Sequence, residues 1–321
     1  MNSQQISWAR SAILLSSLAT ALFLGGCSKS DPQTQVLNIG FQKYGILPIL
    51  KAQGSLENAL KSQGIKIRWV EFPAGPQLLE GLNVGSVAFG EAGEAPPIFA
   101  QAANSNIVYV ANQPGAPHGE ALVVQKNSPI QSVADLKGKR IALNKGSNVH
   151  YLLLNILEVN GLKLEDIQVI YLPPADARAA FERGSVDAWV IWDPFLAAAE
   201  QQLGARVLKD GQGLVNNLQF YLADRKFAES NPKVIQTIIQ ELNTTTQWVA
   251  QHQDEAASLL EQPTGLEHNI LKTSISRMGF GVRPISQEVS HAQQKVADAF
   301  YAQKLIPVKL DIQAAILKQT P

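Results

Sequence analysis

Short apolar segments alternate with amphipathic ones along most of the chain. Apolar residues 36–41 predict a first strand, and the alternation of apolar and polar positions over 65–70 predicts a second, half-buried one. Between them, the spacing of Leu50, Leu56 and Leu60 predicts one helix. Further strands are expected over 107–111, 121–124, 140–143 and 169–172. Strands that alternate with helices at this spacing favour an α/β fold with parallel sheets.

One helix-and-strand pattern occurs twice. Residues 76–89 (PQLLEGLNVGSVAF) and 177–189 (ARAAFERGSVDAW) each predict a helix that ends at a glycine, followed by a short strand. A loop with polar residues and residues of special geometry follows each copy. Two such units suggest two lobes whose strand ends face one cleft, where open α/β sheets bind ligands.

The last third of the chain has a different character. Residues 220–223 predict a strand, and helical spacing of apolar residues dominates afterwards. We expect this part to return to the first lobe, so that lobe 1 comprises residues 36–125 and 218–321, and lobe 2 comprises residues 126–217. The two chain crossings, near 124–127 and 216–220, would form a hinge suited to closure over a ligand.

The charge balance limits the classes of partner. The 321 residues contain 27 Lys and Arg against 27 Asp and Glu, so no overall basic field favours nucleic acid or an anionic membrane. Recognition of a charged ligand would therefore depend on a specific site. No His or Cys spacing typical of a zinc site occurs in the sequence.

The N-terminal segment predicts export. An apolar run over 12–24, about 13 residues and too short to span a bilayer, follows Arg10. The run ends in Leu-Gly-Gly-Cys, which resembles a bacterial lipobox, and Cys27 is the only cysteine. We predict a signal peptide over 1–27, lipidation of Cys27 and a polar linker over 28–35. A plain secretory signal cleaved nearby is the alternative, and it also implies export.

Four segments together resemble the aliphatic sulfonate-binding proteins of bacterial ABC importers, within the sulfonate, nitrate and taurine substrate-binding family. They are residues 69–77 (WVEFPAGPQ), 96–103 (PPIFAQAA), 132–139 (SVADLKGK) and 174–181 (PADARAAF). The likeness extends in unbroken order from about residue 36 to residue 316.

The resemblance implies a type II periplasmic binding protein, with two α/β lobes, a hinge and a ligand cleft between the lobes. Such a protein delivers alkanesulfonates to a membrane permease powered by an ATPase, without catalytic residues, cofactor or metal. We expect a periplasmic or cell-surface monomer that is held on the membrane by its lipid. By resemblance, the ligand contacts are Gln42, Ala92, Gly93, Glu94, Ser147, Asn148, His150, Trp192 and Asp193.

A sulfonate is permanently anionic and only accepts hydrogen bonds, so its site needs donors. Ser147 is placed to cap a helix, and its hydroxyl, together with the amides of Asn148 and Val149, would point at an anion. Gly93 permits close approach of the backbone, and the Gln42 amide is a donor directly after a strand. Helix capping alone is the alternative for Ser147, and an ordinary surface position is the alternative for Gln42.

Three of the expected contacts have structural alternatives. Trp192 would pack on an aliphatic chain, although tryptophan is often a core residue. An ionised Asp193 donates nothing to a sulfonate, so it would order a loop, cap a helix or accept from a ligand amine. His150 lies one turn into a predicted helix, where a structural role is equally compatible with the sequence.

One position departs from the family pattern. Many relatives have a hydroxyl residue in the loop before the Pro-Pro helix, where this chain has Glu91-Ala92. A carboxylate that faced the cleft would repel an anion. We expect either that Glu91 faces solvent, or that the ligand differs and is taurine, nitrate or a thiamine precursor. An enzyme related to thiamine-precursor synthases and a ligand sensor are the other functions compatible with this fold.

Overall fold

The computed structural model describes residues 35–318, which contain two five-stranded sheets flanked by helices. The strands are β1 (Gln35–Phe41), β2 (Ile65–Glu71), β3 (Phe89–Gly93), β4 (Ile107–Gln113), β5 (Glu120–Val124), β6 (Arg140–Leu143), β7 (Gln168–Tyr171), β8 (Ala188–Trp192), β9 (Arg206–Asp210) and β10 (Gln219–Asp224).

The α-helices occupy both lobes. They are α1 (Leu47–Gln53), α2 (Ser55–Lys61), α3 (Gly75–Asn83), α4 (Pro96–Ala102), α5 (Asn148–Val159), α6 (Pro174–Glu182), α7 (Phe195–Leu203), α8 (Arg225–Ser230), α9 (Pro232–Gln251), α10 (Gln253–Thr264), α11 (His268–Ser276) and α12 (Gln287–Ala302). Within the described residues, no helix is both long and apolar enough to cross a bilayer.

The two sheets have the same topology. The first has the order β2-β1-β3-β10-β4, and the second has the order β7-β6-β8-β5-β9. In each sheet the first three strands are parallel, and the fourth, which arrives from the other lobe, is antiparallel to both its neighbours. We define the first lobe as the first sheet with α1–α4 and α8–α12, and the second lobe as the second sheet with α5–α7.

The predicted repeat is confirmed as this shared topology. Its two copies form α3 with β3 and α6 with β8, each helix lying just before the third strand of its sheet. Gly85 and Gly184 follow the two helices in the left-handed region, with φ of 71° and 68°. Glycine adopts this conformation without the penalty that a Cβ brings, which explains why the same residue ends both helices.

The structure differs from the sequence-based prediction at two places in the first half of the chain. Gly54, with φ of 67°, divides the single helix expected through Leu56 into α1 and α2. Residues 121–124 were expected in the first lobe, and this was wrong. They belong to β5, which pairs with β8 and β9 of the second sheet. The first crossing therefore lies at residues 114–119, earlier than expected.

The fold also contains antiparallel pairs that the alternation of strands and helices does not predict. The strand over 220–223 is confirmed as β10 and returns to the first sheet, as expected, between β3 and β4. It enters from the second lobe, and β5 enters the second sheet from the first lobe. Each arriving strand runs opposite to its neighbours, so both sheets are mixed.

The two crossing segments, 114–119 and 211–218, lie side by side and form the hinge. The Ala116 amide donates to the carbonyl of Asn216 at 3.0 Å, and the Gly211 amide donates to Pro117 at 3.0 Å. A Cβ on Gly115 would lie 2.5 Å from the Asn216 oxygen. Only a residue without a side chain allows the segments to approach this closely.

Each sheet is covered on both faces by apolar helices. In the first lobe, one core surrounds Ile39, and a second surrounds Phe220 on the other face. The second lobe has equivalent cores around Leu122 and Trp189. Burial on both faces explains the nearly continuous apolar character of the central strands.

Candidate functional site

A cleft lies between the lobes, at the carboxyl ends of parallel strands from both sheets. Gln42 follows β1, Gly93 ends β3, Trp192 ends β8, and Ser147 lies in the loop after β6. The cleft encloses about 440 Å³, counting its open mouth. Its lining residues are Gln42, Tyr44, Gly75, Gly93, Pro96, Ser147, Asn148, Trp192, Asn217 and Gln219.

Neutral hydrogen-bonding side chains dominate this lining. Amides and hydroxyls are present, whereas the lining residues include no Asp, Glu, Lys, Arg or His. Any charge on a ligand would therefore be met by dipoles rather than by an ion pair. The polar lining side chains are Gln42, Tyr44, Ser147, Asn148, Asn217 and Gln219.

Three helices begin at the cleft. Gly75 opens α3, Pro96 opens α4, and Ser147 precedes α5. The first amides of a helix lack intrahelical acceptors, and the helix dipole makes this end attractive to anions. The start of α4 offers no such amide, because its first two residues are prolines, so the free donors are those of α3 and α5. A Cβ on Gly75 would lie 2.7 Å from the Pro96 ring, so the glycine allows α3 and α4 to start side by side.

Asn148 joins the two lobes at the base of the cleft. Its Oδ1 accepts the backbone N–H of Ala95 at 3.1 Å, and its Nδ2 donates to Asn217 Oδ1 at 2.7 Å. Asn217 in turn donates to the carbonyl of Ala116 at 2.8 Å. A Cβ on Gly93 would overlap the Asn148 carboxamide. The starts of α4 and α5 and both hinge segments are thus linked by two side chains.

Ser147 lines the cleft, but its hydroxyl is already engaged. It donates to the carbonyl of Asn144 at 2.6 Å and makes no side-chain cap to α5. The donors at this end of α5 are therefore backbone amides. Gln42 similarly donates to the carbonyl of Glu91 at 3.0 Å, and its Nε2 carries a second hydrogen.

The structure brings five of the predicted contacts together and places four behind the cleft wall. The residues that line the cleft are Gln42, Gly93, Ser147, Asn148 and Trp192. The residues that lie outside the lining are Ala92, Glu94, His150 and Asp193, all of them buried. Each of these four has packing or hydrogen-bond partners that explain its position.

Glu94 supports the hinge. Its Oε2 accepts the backbone N–H of Leu218 at 3.0 Å, and burial raises its pKa to about 7 despite that hydrogen bond. Glu120, at the start of β5, is also fully buried. Burial raises the pKa of Glu120 well above its usual range, and the nearby Glu94 raises it further.

His150 packs between the lobes. Its ring lies 5.8 Å from that of Phe300 on α12 and 5.6 Å from that of Tyr171, and its Nδ1 accepts the Gly146 amide at 3.3 Å. Burial, with a smaller contribution from the charge of Lys145, lowers the pKa of His150 to about 4. At neutral pH the imidazole is uncharged, and its contacts are with the protein interior rather than with the cleft.

Asp193 pairs with the first lobe rather than facing the cleft. It is fully buried, and its Oδ1 accepts the Ala197 amide at 3.0 Å at the start of α7. Arg277 lies 3.4 Å from the same oxygen. Burial raises the pKa of Asp193 to about 7, although Arg277 opposes this shift.

Glu91 faces neither solvent nor the cleft. Its side chain packs beneath the backbone of Gly45, next to the start of α1. Burial raises the pKa of Glu91 to about 8, and the amides of Ile46 and Leu47 lower it partway without completing a regular hydrogen bond. The carboxyl is therefore mostly protonated at neutral pH, and the expected repulsion of an anion does not arise.

Sequence reasoning missed half of the cleft lining. The missed residues are Tyr44, Gly75, Pro96, Asn217 and Gln219. Gly75 lies at the start of α3, which is a local signal that predicts an anion site. Pro96 also opens a helix but has no N–H, so it contributes to the shape of the cleft rather than a donor. Asn217 and Gln219 belong to the returning hinge segment, and only the arrangement of the crossings brings them to the cleft.

Comparison with known proteins gives a consistent result. The model of the family described as NMT1/THI5 like matches residues 60–256. An Escherichia coli protein named for aliphatic sulfonates binding is 44% identical over 310 residues, which is 96% of this chain and 96% of that protein. The solved alkanesulfonate-binding protein SsuA from Xanthomonas axonopodis, bound to MOPS, is 41% identical with a TM-score of 0.83, covering 88% of this chain and 98% of its own.

The same fold also occurs in an enzyme. The desulfurization enzyme DSZB is 18% identical, with a TM-score of 0.65, and the match covers 89% of this chain and 97% of the enzyme. At this identity the likeness concerns the fold alone. The two-lobed architecture therefore accommodates both binding proteins and catalysis, and function must be argued from the cleft.

Proposed function

We propose that this chain, which belongs to the NMT1/THI5-like family and within it to the aliphatic sulfonate-binding proteins, binds an alkanesulfonate between its lobes and delivers it to an ABC importer. The observation that carries this proposal is a cleft lined by neutral side-chain donors and by the starts of α3 and α5, with no ionised side chain in the lining.

The chemistry of a sulfonate matches this lining. The group stays anionic at all physiological pH values and offers three oxygens that accept hydrogen bonds. A helix start contributes roughly 0.3 to 1 kcal/mol toward an anion, and about 2 kcal/mol when partly buried. Two such starts supply up to about 4 kcal/mol. Micromolar affinity needs about −8 kcal/mol, so side-chain donors such as Gln219, at about 1.5–3 kcal/mol for each hydrogen bond to a charged group, supply the rest.

Trp192 supplies an apolar wall for the rest of the ligand. Its ring is partly exposed at the cleft and is held edge to face against Phe195 at 6.3 Å. Burial of apolar surface contributes roughly 25 cal/mol per Å², so an alkyl chain against this ring would strengthen binding with each added methylene.

The cellular setting follows from the family and from the N-terminal sequence. We propose that the protein works outside the cytoplasm, and that a lipid on Cys27 holds it near a permease and its ATPase. Cys27 and the preceding signal lie outside the described residues. Radiolabelled palmitate incorporation in wild type, and its absence from Cys27→Ser, would support the anchor. Equal labelling of both proteins would rule it out.

Calorimetry tests the ligand directly. The protein would be titrated with ethanesulfonate, hexanesulfonate, MOPS, taurine, sulfate and nitrate in Tris-chloride, since sulfonate buffers would compete. We expect alkanesulfonates to bind at micromolar concentrations, and sulfate and nitrate to bind at least about tenfold more weakly.

Gln219→Ala should weaken sulfonate binding by about tenfold or more, because a hydrogen bond to a charged group is lost. The control Gln247→Ala, on the exposed face of α9, should bind as wild type. If no sulfonate bound, the proposal would be wrong.

A further inference from the structure

A charged contact joins the two lobes outside the cleft. Arg277 directly follows α11 of the first lobe, and its guanidinium reaches two carboxylates of the second lobe. One nitrogen, Nη2, lies 2.7 Å from Glu200 Oε2 on α7. The other, Nη1, lies 3.4 and 3.5 Å from the two oxygens of Asp193. None of these three residues lines the cleft.

Asp193 connects this contact to the cleft wall. It directly follows Trp192, which lines the cleft, and its backbone N–H donates to the carbonyl of Gly119 at 2.9 Å in the first hinge segment. Its carboxylate also accepts the Ala197 amide at the start of α7. The position of the Trp192 wall is therefore tied to the hinge, to α7 and, through Arg277, to the opposite lobe.

The interface around the charged contact is small and only partly apolar. Ala197 and Ala198 of α7 pack against Ile270 of α11. Gln201 donates to the Thr273 hydroxyl at 2.9 Å across the same interface. Gln202 donates to Glu267, just before α11, at 2.9 Å. Small side chains bury little apolar area, so these hydrogen bonds and the pairing of Arg277 with two carboxylates hold α7 to α11, and Arg277 makes the charged contact among them.

We propose that Arg277 is a positioning residue for ligand retention: by holding Asp193 and Glu200 against the first lobe, it keeps the Trp192 wall closed on the bound ligand. This inference rests on the proposed function, because it concerns the same cleft. Because Arg277 does not line the cleft, it affects the rate of ligand release rather than the rate of association.

The experiment compares Arg277→Met with a matched control, Arg178→Met. Arg178 forms an ion pair of the same length, 2.7 Å to Glu182, but within the second lobe. Stopped-flow measurement with hexanesulfonate would give the association and release rates. We expect Arg277→Met to release the ligand at least about tenfold faster, with association changed by less than about threefold. The control should keep the wild-type rates, and Arg277→Lys should fall between Arg277→Met and wild type.

A second variant distinguishes the loss of the Arg277 contact between the lobes from the damage caused by an unpaired buried charge. Arg277→Met leaves the Asp193 carboxylate without its cation, which destabilises a buried site. Asp193→Asn combined with Arg277→Met removes that charge as well. If Arg277 acts by holding the lobes together, the double variant still releases ligand fast. If release in the double variant returned to the wild-type rate, the proposal would be overturned.

A direct reading of lobe separation makes the test independent of the ligand. Dyes would be attached to cysteines replacing Val84 in the first lobe and Val207 in the second, both exposed, in a Cys27→Ser background. Arg277→Met should shift the energy-transfer distribution of the ligand-free protein toward larger separation. An unchanged distribution together with unchanged release would refute the proposal for Arg277. A shifted distribution without binding of any sulfonate would instead contradict only the proposed function.

Discussion

The Oδ1 atom of Asn148 lies 3.1 Å from the backbone nitrogen of Ala95, so that a side chain at the start of a helix in one lobe accepts a donor at the start of a helix in the other. Both helices begin at the cleft. The Ala95 N–H is occupied by this contact, and because Asn148 is the first residue of α5, the same contact positions the α5 amides that we propose as donors for an anionic ligand. Closure and ligand recognition therefore involve the same few atoms.

Gly93→Ala should prevent full closure. The added Cβ would overlap the Asn148 carboxamide, so the lobes would have to separate or the side chain would have to move. We expect sulfonate affinity to fall by about tenfold or more, since a small displacement of the donors lengthens several hydrogen bonds. Calorimetry would measure this, with circular dichroism to check that the fold is intact.

A double variant is the control for that prediction. In an Asn148→Ala background the obstacle to a Cβ at position 93 is absent. Gly93→Ala should therefore change affinity by less than about threefold in that background, compared with about tenfold in wild type. Equal losses in the two backgrounds would show that the Gly93 effect does not arise from contact with Asn148.

Trp192→Ala should remove the dependence of affinity on chain length. In wild type we expect each methylene from ethanesulfonate to hexanesulfonate to add up to about 0.8 kcal/mol, which is roughly fourfold in affinity. Without the ring this gradient should largely disappear, while the affinity for ethanesulfonate should fall only a few fold. Trp192→Phe keeps an apolar wall and should retain most of the gradient. A steep gradient in Trp192→Ala would contradict the assignment of the alkyl chain to this wall.

Glu91→Gln should change how stability depends on pH. Burial raises the pKa of Glu91 from 4.5 to about 8, so the folded protein holds a proton that the unfolded chain releases. The contribution of this group is present below pH 4.5 and is lost as pH rises toward 8. Glutamine does not ionise, so at pH 8.5 the variant should melt about 2–4 °C or more above wild type. At pH 4.5 the two should be close. Glu80→Gln, at an exposed position, is the control. If the difference in melting temperature between Glu91→Gln and wild type were the same at both pH values, this account would be contradicted.

His150→Asn should change the acidic side of the same profile. The pKa of His150 is lowered from 6.5 to about 4, so the unfolded chain takes up a proton that the folded protein excludes. Its contribution is present above pH 6.5 and is lost as pH falls toward 4. Asparagine keeps an acceptor for the Gly146 amide but does not titrate, so the variant should lose less stability between pH 6.5 and 4. His291→Asn, on an exposed position of α12, should follow wild type. A variant as acid-sensitive as wild type would show that another group is responsible.

Much of the fold was accessible from the sequence because its signals are local. The glycines at positions 85 and 184, the alternation over 65–70 and the apolar strand over 220–223 each depend on near neighbours, and each prediction is confirmed. The placement of β5 was not local. Its residues are apolar and suit either sheet, and only pairing with β8 and β9 places them in the second lobe.

The cleft was predictable to the extent that it is built from helix starts. Gly93, Ser147 and Asn148 were expected from the family resemblance, with the helix-start pattern as physical support, and the structure places them in the lining. Asn217 was missed, because its part in the cleft depends on a left-handed backbone, with φ of 50°, and on its bond to Asn148. Asp193 and His150 are close in sequence to the lining residues Trp192 and Asn148. Their side chains nevertheless point into the protein interior, away from the cleft.

The most direct test of the central claim is a crystal structure of the protein with hexanesulfonate. We predict that the sulfonate lies in the cleft, with its oxygens about 2.7–3.2 Å from backbone amides at the starts of α3 and α5, and that the alkyl chain contacts Trp192. A sulfonate bound outside the cleft, or one neutralised by a Lys or Arg side chain, would contradict recognition by neutral donors.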